Sequence, residues 1–419
     1  MKAMTSDIKM QQQKPPRPRP KFRGITRNVI VLGWVSFFTD VASEMLYPVI
    51  PLFLVGTLGA SPAMLGIIDG IAEGGSSILR WLAGAMSDRF HRRKPFIVVG
   101  YTISALSKPL MGFAAVAGGW PLFLLGRSAD RLGKSIRTSA RDALIADSTE
   151  PKYRGVAFGL HRAMDTCGAV LGPLLALLII VLRPGTSLQW LFFVALVPGL
   201  LSSLLAFLAV RDIPHIADPS ARPPPILQRF PKPFWHLIAA ATLFSLGNSS
   251  DSFLILRSRE LGLTFPKIIL AFTLYNLVYA LGALPLGRLS DRIGRKPVVI
   301  VGWMVYAVVY LGFSMVKYPA APWVLLGIYG LYQALTEGVT KAFIADVVSE
   351  DQRAGAIGLF YTVTGMGQLV ASVAAGALWH VRIFHGSVML SFLIASVCAA
   401  AAIPWVASIR VVRPNVLAP

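Results

Sequence analysis

Long apolar runs alternate with short polar loops along almost the whole chain. A helix needs about 20 predominantly apolar residues to cross the hydrocarbon core of a bilayer. The sequence therefore predicts an all-α membrane protein with twelve transmembrane helices, termed spans 1 to 12. They cover residues 28–55, 62–86, 95–116, 121–147, 154–182, 187–209, 234–257, 264–287, 297–316, 321–347, 354–380 and 384–408.

Basic residues are shared unevenly between the loops on the two sides of these spans. One set of loops carries the N-terminal tail, Arg89, Arg92, Arg93, Lys94, Lys152, Arg154, the stretch 211–232, Arg288, Arg292, Arg295, Lys296, Arg353, Arg410 and Arg413. The opposite set carries only Arg183, Arg257, Arg259, Lys267, Lys317 and Arg382. Lys and Arg gather in cytoplasmic loops. Both termini are therefore predicted to be cytoplasmic, in agreement with an even number of spans.

The composition is that of a polytopic membrane protein. Hydrophobic residues make up 55% of the chain and charged residues only 14%, against about 25% charged residues in a soluble domain. The formal net charge of +20 could indicate nucleic-acid binding, but basic cytoplasmic loops account for it. The expected partners are the lipid bilayer and a small-molecule substrate, and no nucleic acid is expected.

Motifs of enzymes and metal proteins are missing from the sequence. It has no GxSxG or P-loop motif, no HExxH or CxxC spacing, and no soluble domain long enough for a catalytic site. The two cysteines, Cys167 and Cys398, both lie in apolar segments. We therefore expect no enzymatic activity, no metal and no cofactor, with protons as the coupling ion of any transport.

Polar, proline-rich stretches mark the predicted domain boundaries. Residues 1–26 are basic and lack the apolar core of a signal peptide, which predicts a disordered cytoplasmic tail. Residues 211–233 divide the spans six and six and are predicted to form a cytoplasmic linker. The remaining domains are an N-terminal six-helix bundle at 27–210, a C-terminal six-helix bundle at 234–410 and a tail at 411–419. We expect the protein in a bacterial cytoplasmic (inner) membrane.

The two halves of the chain resemble each other. The loop sequence GAMSDR at 84–89 matches GRLSDR at 287–292, and a basic cluster with a proline follows each copy, HRRKP and GRKP. ALIAD at 143–147 likewise matches AFIAD at 342–346. Self-similarity at half the chain length is typical of transporters built from two repeats.

This duplicated loop resembles the GxxxDRxGRRK signature of the major facilitator superfamily, with His91 replacing the second glycine of the first copy. The resemblance covers residues 25–410. It implies the major facilitator fold, in which two pseudo-symmetric six-helix bundles work by alternating access, and a monomer. It also implies a cytoplasmic gate formed by Gly84, Asp88, Arg89, Arg92, Gly287, Asp291, Arg292 and Arg295.

Span 5 contains a second motif, Gly159, Gly168, Gly172 and Pro173. Its spacing resembles the motif of drug:proton antiporters within the superfamily, although Ala176 and Leu177 replace the usual final Gly-Gly. Glycines let helices approach closely, and a proline bends a helix by removing a backbone donor. The resemblance implies an exporter.

Span 4 carries a basic stripe within an apolar region. On a helix, Arg127, Arg131, Lys134 and Arg141 fall on one face, and Arg137 lies off it by about one residue. Charge facing lipid costs at least ~2.5–3.5 kcal/mol at the bilayer centre, so the stripe must face protein or water. Antiporters of the superfamily have a span-4 arginine in an RxxxGxG pattern. By resemblance, Arg127 is a candidate for proton coupling, although Arg131 replaces the first glycine.

Further ionisable residues lie within the spans, where such groups are functional by default. The candidates for the substrate and proton pathway are Asp40, Glu44, Asp69, Glu73, Lys108, Arg127, Arg131, Lys134, Arg162 and Glu337. Some of these groups must neutralise one another, and Arg162 with Asp165 is the clearest predicted pair. Spans 1 to 5 hold most of the charges. A charged cavity is therefore predicted in the N-terminal half, with the carboxylates of spans 1 and 2 as proton-binding groups.

Aromatic side chains are prominent in the C-terminal half. They include Tyr275, Tyr279, Tyr306, Tyr329, Tyr332 and Phe360. They either form the apolar wall of a substrate cavity or pack between helices, and the sequence leaves both alternatives open.

Two transport hypotheses follow. The first is a secondary active exporter that moves a small organic compound out of the cell, driven by inward proton flow. The second is a transporter of anionic solutes, such as an organic acid, a phosphate ester or a carboxylated siderophore, in either direction. Its site would be Arg127, Arg131 and Lys134 of the basic stripe together with Lys108 and Arg162, because arginines bind carboxylate and phosphate well. A sensor of this fold that transports nothing is a third alternative.

Overall fold

The computed structural model describes residues 25–89, 92–150, 153–185, 187–213, 230–349, 352–379 and 387–409. Within these ranges, the side chains of 77–78, 80–89, 154–155, 353–354 and 387 are excluded from the description. The predicted N-terminal tail up to residue 24, linker residues 214–229 and the C-terminal tail lie outside the described residues. The side-chain surroundings of the predicted gate residues Gly84, Asp88 and Arg89 also lie outside the description.

The described residues fold into thirteen helices of at least two turns, with no strand among them. They are α1 Arg27–Leu46, α2 Pro62–Arg89, α3 Lys94–Phe113, α4 Gly119–Asp147, α5 Arg154–Leu182, α6 Gln189–Ala209, α7 Lys232–Ser245, α8 Ser252–Glu260, α9 Phe265–Ile293, α10 Arg295–Met315, α11 Ala321–Val347, α12 Arg353–Leu378 and α13 Ser387–Ser408. The first helix is prolonged by the short turn Ile50–Leu52 and a π-helical turn at Phe53–Thr57.

These helices match the twelve predicted spans, but span 7 is broken. Where a single helix was predicted at 234–257, α7 ends at Ser245 and α8 begins at Ser252. The sequence Gly-Asn-Ser-Ser at 247–250 between them favours a turn. Irregular backbone at membrane depth is tolerated where protein surrounds it. Ser249 and Ser250 satisfy this condition, since both are buried.

Eight helical segments among the described residues are long and apolar enough to cross a membrane. The remaining predicted spans are α2, α4, α11 and the broken pair α7–α8. The first three carry ionisable side chains in their middles, including Asp69, Arg131 and Glu337. Lipid-facing charge is costly, so these helices need partners inside the protein.

Helix contacts divide the molecule into two six-span bundles, as predicted. In the first, α1 packs on α5 and α6, α3 on α4 and α6, and α2 on α4. In the second, α9 packs on α11, α10 on α11 and α13, and α7 on α13. The bundles meet along two seams, α2 with α12 and α5 with α9.

The α2–α12 seam is tightest at one end of the molecule, near the start of α2. A Cβ atom at Gly66 would overlap the carbonyl group of Ser372, and one at Gly376 would lie 2.5 Å from the carbonyl oxygen of Pro62. Helix backbones can approach this closely only where glycine leaves space. We call this the closed end. The other end, where α3 begins at Lys94 and α10 at Arg295, carries the basic loops and is called the basic end.

Candidate functional site

A cavity of about 860 Å³ lies between the two bundles. Its first wall comes from α1, α4 and α5, and its second from α9, α11 and Asp251, the residue just before α8. Its lining extends from Asp251 and Tyr47 to Arg288 and Arg295 at the basic end. The cavity therefore reaches the basic end, while the α2–α12 seam closes the opposite end.

The two walls differ in chemistry. The polar groups of the first wall include Asp40, Glu44, Lys134, Arg137, Arg141 and Asp165. Those of the second wall include Asp251, Tyr275, Asn276, Tyr279, Glu337 and Lys341. The predicted concentration of charge in the N-terminal half is therefore present on the first wall, and phenol and amide groups are interspersed on the second.

Two members of the basic stripe are neutralised by α2. The Nε atom of Arg127 lies 3.2 Å from Oδ1 of Asp69, and Nε of Arg131 lies 2.8 Å from Oε1 of Glu73. Both arginines line the cavity, but neither carboxylate does. The stripe therefore does not present all its charges to a substrate, contrary to the simplest form of the anion hypothesis.

Asp69 also joins the two bundles. It is fully buried, and its Oδ2 accepts hydrogen bonds from the hydroxyl groups of Ser250 at 2.7 Å and Ser252 at 2.5 Å. Both serines flank the break in span 7, so the irregular backbone places them over α2. The predicted pathway residue Asp69 is thus a link between bundles rather than part of the cavity lining.

Lys108 is likewise held in a structural pair. Its Nζ atom lies 3.3 Å from Oδ1 of Asp130, which also accepts a hydrogen bond of 2.5 Å from Ser104. Lys108 is 1% exposed and does not line the cavity. Asp130, one turn before Lys134, therefore pairs with α3 instead of neutralising its own helix. Lys108 itself is therefore behind the cavity wall, while its partner Asp130 lines the cavity.

Two cations of α4 remain available in the cavity. Lys134 is exposed there and makes no ion pair with any described residue. Arg137 is 5% exposed, and its Nε and Nη1 atoms have no hydrogen-bond partner among the described residues. Arg141 is paired, with Oδ1 of Asp142 at 2.9 Å and the hydroxyl of Ser36 at 3.2 Å.

Three carboxyl groups from α1 and α5 face these cations. Asp40 and Asp165 line the cavity on the closely packed helices α1 and α5, near enough for their carboxyl groups to interact, and Glu44 lies one turn further along α1. Two carboxyl groups this close repel each other unless they share a proton. The approach depends on Gly168, where a Cβ atom would lie 2.5 Å from the carbonyl oxygen of Phe37 and 3.0 Å from Cβ of Asp40.

The span-5 glycines thus act through helix packing. A Cβ atom at Gly172 would lie 2.7 Å from the carbonyl oxygen of Val41, whereas one at Gly159 would meet nothing within 4 Å. Pro173 is buried on the same helix. Gly168 and Gly172 therefore set the distance between α5 and α1, and Gly159 has no such contact.

Arg162 connects the two walls. Its Nη1 atom lies 3.2 Å from Oδ2 of Asp165, which confirms the predicted pair, and its Nη2 atom lies 3.0 Å from Oε2 of Glu337. The phenol of Tyr279 contacts both Arg162 and Glu337. An arginine of the first bundle therefore bridges one carboxylate on its own helix and another on α11.

The aromatic residues of the C-terminal half are divided between the two alternatives, cavity wall and packing between helices. Tyr275 and Tyr279 line the cavity, whereas Tyr306, Tyr329, Tyr332 and Phe360 do not. Tyr329 stacks on Tyr275 at a centroid distance of 5.4 Å and donates a hydrogen bond of 2.6 Å to Asp251. Most of these rings therefore form the packing behind the wall.

At the basic end, the second copy of the gate motif is described in full. Gly287, Asp291 and Arg295 line the cavity mouth, Arg295 pairs with Asp291, and Arg292 is exposed. Arg295 also lies 3.7 Å from Oδ2 of Asp346. In the first half, Arg93 lies 3.7 Å from Oδ2 of Asp147, next to an exposed Arg92.

Sequence reasoning missed three cavity residues. Asp165 was treated only as a structural partner, Arg137 falls off the stripe and was not among the predicted pathway residues, and His161 was given no role. His161 hydrogen-bonds Ser36 at 2.8 Å and lines the first wall. Among the described residues, no cluster of three His, Cys, Asp or Glu side chains could hold a metal ion.

Comparison with known proteins agrees with this architecture. The chain is 38% identical over 385 residues to an MFS-type transporter of Methanocaldococcus jannaschii, covering 90% of this chain and 93% of that one. It is 33% identical over 155 residues to the multidrug resistance protein MdtH of Salmonella newport, covering 36% and 34% of the two chains.

Solved structures show the same fold at low identity. The nucleoside transporter NupG superposes with a TM-score of 0.72 at 15% identity, covering 91% of this chain and 99% of that one. The sequence profile of the Major Facilitator Superfamily matches residues 32–264 and 246–417. The chain therefore belongs to the Major Facilitator Superfamily of membrane transporters.

Proposed function

We propose that the protein couples the export of a small organic compound to proton entry, by alternating access through the cavity between its bundles. The observation that carries the proposal is the proximity of Asp40 and Asp165 in that cavity, beside the bridging Arg162. The basic end would face the cytoplasm, following the positive-inside rule. In this conformation the cavity would then be open to the inside.

Alternating access requires one end of the cavity to open while the other end closes. The α2–α12 seam and the bonds of Asp69 to Ser250 and Ser252 would separate, while the basic end would close. Arg162 is suited to link this motion to protons, because it bonds Asp165 on its own helix and Glu337 on the other bundle. Movement of the bundles changes its distance to Glu337 but leaves Asp165 one turn away. The charge balance of the Asp40–Asp165 pair therefore changes with conformation.

Export is supported by two observations. The span-5 glycines, which resemble the antiporter motif, set the α1–α5 distance on which the proximity of these carboxyl groups depends. One partial relative is a multidrug resistance protein. We further propose that both termini are cytoplasmic, that the domains follow the predicted boundaries, and that a monomer in the cytoplasmic membrane is the working unit.

Anion transport is the second candidate, in either direction. The observation that favours it is the pair Lys134 and Arg137, which line the cavity without an acidic partner in hydrogen-bonding or ion-pair contact among the described side chains. Lipophilic cations would instead be attracted by Glu44 and the Asp40–Asp165 pair.

Proton coupling can be tested in proteoliposomes that contain a pH-sensitive dye. The probes share one ring and differ in charge: benzoate, phenyl phosphate, benzyl alcohol and benzylammonium. Tetraphenylphosphonium is added as a larger lipophilic cation. At least one charged probe should move protons through the wild-type protein, and a protonophore should abolish the signal.

The matched variants are Asp40→Asn and Glu260→Gln. Asp40→Asn removes one carboxyl group of the cavity pair, so proton movement should fall at least tenfold. Glu260 lies outside the cavity beside Arg257 and Trp379, and Glu260→Gln should transport like the wild type. Solute movement that persists in Asp40→Asn without proton movement would refute the coupling role of the pair.

A further inference from the structure

Arg137 is a buried cation that makes no ion pair with any described residue. Its side chain lies on the cavity side of α4, only 5% exposed, and its Nε and Nη1 atoms have no hydrogen-bond partner among the described residues. A buried charge is expensive unless it is paired or hydrogen-bonded. Nε and Nη1 of Arg137 are therefore able to donate hydrogen bonds to a ligand at this point of the cavity wall.

The position of Arg137 is fixed by its packing on α3. A Cβ atom at Gly100 would lie 2.7 Å from Cβ of Arg137, so the two helices touch at this level. The guanidinium carbon lies 4.7 Å from the ring centroid of Tyr101. This cation–π contact supports one face of the guanidinium group, but the N–H groups of Nε and Nη1, which point in the guanidinium plane, have no acceptor among the described residues.

The neighbouring charges leave Arg137 as the uncompensated one. Arg141 is paired with Asp142, and Lys134 has the carboxylates of Glu73 and Asp40 nearby, although no described carboxylate forms an ion pair with it. Arg127 and Arg131 are held by α2, and Arg162 by Asp165 and Glu337. Among the described residues of the first wall, Arg137 is thus the guanidinium without an acidic partner, and the exposed ammonium group of Lys134 lies one turn away.

We propose that the cavity binds the anionic group of its substrate at Arg137, with Lys134 as the second contact. The group is a compact oxyanion, either a carboxylate or a phosphate monoester, because both offer several oxygen acceptors to guanidinium donors. The organic part of the substrate extends towards Tyr275 and Tyr279 on the second wall. The cavity of about 860 Å³ has room for such a molecule. This assignment rests on the proposal that the cavity is the transport path.

The test is a binding measurement on the purified full-length protein in detergent, at low chloride concentration. Thermal stabilisation by benzoate, phenyl phosphate, benzyl alcohol and benzylammonium is compared over a concentration series. The wild type should be stabilised by one or both anions and not by the neutral alcohol. Stabilisation by phenyl phosphate alone assigns a phosphate ester, and stabilisation by benzoate alone assigns a carboxylate.

The variants separate the site from general electrostatics. Arg137→Gln should weaken anion binding at least tenfold without lowering the melting temperature of the free protein, because a buried unpaired charge is removed. Arg137→Lys should bind with intermediate affinity, and Lys134→Gln should lose less than Arg137→Gln. Arg183→Gln removes an exposed charge outside the cavity and should leave binding unchanged.

Several results would overturn the site. These are unchanged anion affinity in Arg137→Gln, stabilisation by benzylammonium alone, or a lower melting temperature of free Arg137→Gln, which would show a purely structural role. If Arg137→Gln does not fold, the anion affinities of Arg137→Lys and Lys134→Gln test the site instead. Wild-type affinity in both variants would reject it. Failure of the transport proposal can be distinguished from failure of the anion site. In that case anions would bind with the predicted pattern of variant affinities, but no probe would move protons in proteoliposomes.

Discussion

The two bundles share a scaffold at the basic end but differ where they face the cavity. Arg93 pairs with Asp147 in the first half, and Arg295 pairs with Asp346 in the second, each at 3.7 Å. In both halves the arginine precedes a Lys-Pro at a helix start and the aspartate ends the neighbouring helix of the repeat.

The cavity walls show no such correspondence. The first wall combines several cations and carboxylates, whereas phenol groups contribute to the second wall and a stacked tyrosine cluster supports it from behind. Specificity in this fold arises from scattered side chains placed on a common scaffold. The difference between the walls supports the proposal that ion and substrate binding would depend mainly on the first bundle.

The largest expected effect comes from the buried carboxylates of the two halves. Asp69→Asn leaves Arg127 as a buried charge without its counterion, and removing one partner of a buried pair costs about 3–5 kcal/mol. Asp251→Asn alters the carboxylate that accepts a hydrogen bond from the Tyr329 hydroxyl and should cost about 1 kcal/mol. Apparent melting temperatures in detergent check the order. Equal losses would contradict the greater dependence of the first bundle on charge.

A second comparison concerns close helix contacts. Gly168→Ala and Gly330→Ala each force a Cβ atom to within 2.5 Å of a backbone oxygen, and overpacking of this kind typically costs about 1–3 kcal/mol. Both variants should melt at lower temperature. Only Gly168→Ala should also lose proton movement in proteoliposomes, because it separates α5 from α1.

Gly159→Ala is the control for that pair, since the added methyl group meets nothing within 4 Å. Its stability and proton movement should equal those of the wild type. Proton movement retained by Gly168→Ala would show that the antiporter-like spacing has no part in coupling.

The smallest expected effects on stability concern the two ion pairs at the basic end, Arg93 with Asp147 and Arg295 with Asp346. The Arg93 side chain is 7% exposed and that of Arg295 is 23% exposed. Loss of a buried ionic contact in Arg93→Gln should cost about 1–3 kcal/mol, and Arg295→Gln about 0.2–1 kcal/mol, because solvent weakens exposed pairs. Melting temperatures are compared at low and high salt. The stability lost in Arg295→Gln should depend on salt more strongly than the stability lost in Arg93→Gln. The reverse order would reject burial as the cause.

Much of the architecture was predictable from apolar run length and loop charge. Both signals are local, because bilayer thickness sets the span length and the loop charge sets the topology. The break in span 7 had a visible signal, the turn-forming residues 247–250, but the apolar flanks favoured a continuous helix. The repeat also identified the aspartates that pair with Arg93 and Arg295.

The partners inside the cavity were harder to predict. A helical wheel shows which residues share a face, but it does not show which helix lies opposite. The matching four-residue steps of Asp69 to Glu73 and of Arg127 to Arg131 did contain a signal, because α2 and α4 run parallel and the two pairs align. Arg137 falls off the stripe by about one residue and is not among the predicted pathway residues, although a long side chain can cover that angle.

The glycine contacts at the closed end bear on how that end would open. Gly66 and Gly376 press directly on the backbone of the opposing helix, so at these two positions no side chain must leave a pocket or change rotamer for the helices to part. In the proposed transport cycle, parting the helices would also require the two hydrogen bonds that Asp69 accepts from Ser250 and Ser252 to break. These buried polar bonds would then hold the closed end shut until a substrate or proton shifts the balance.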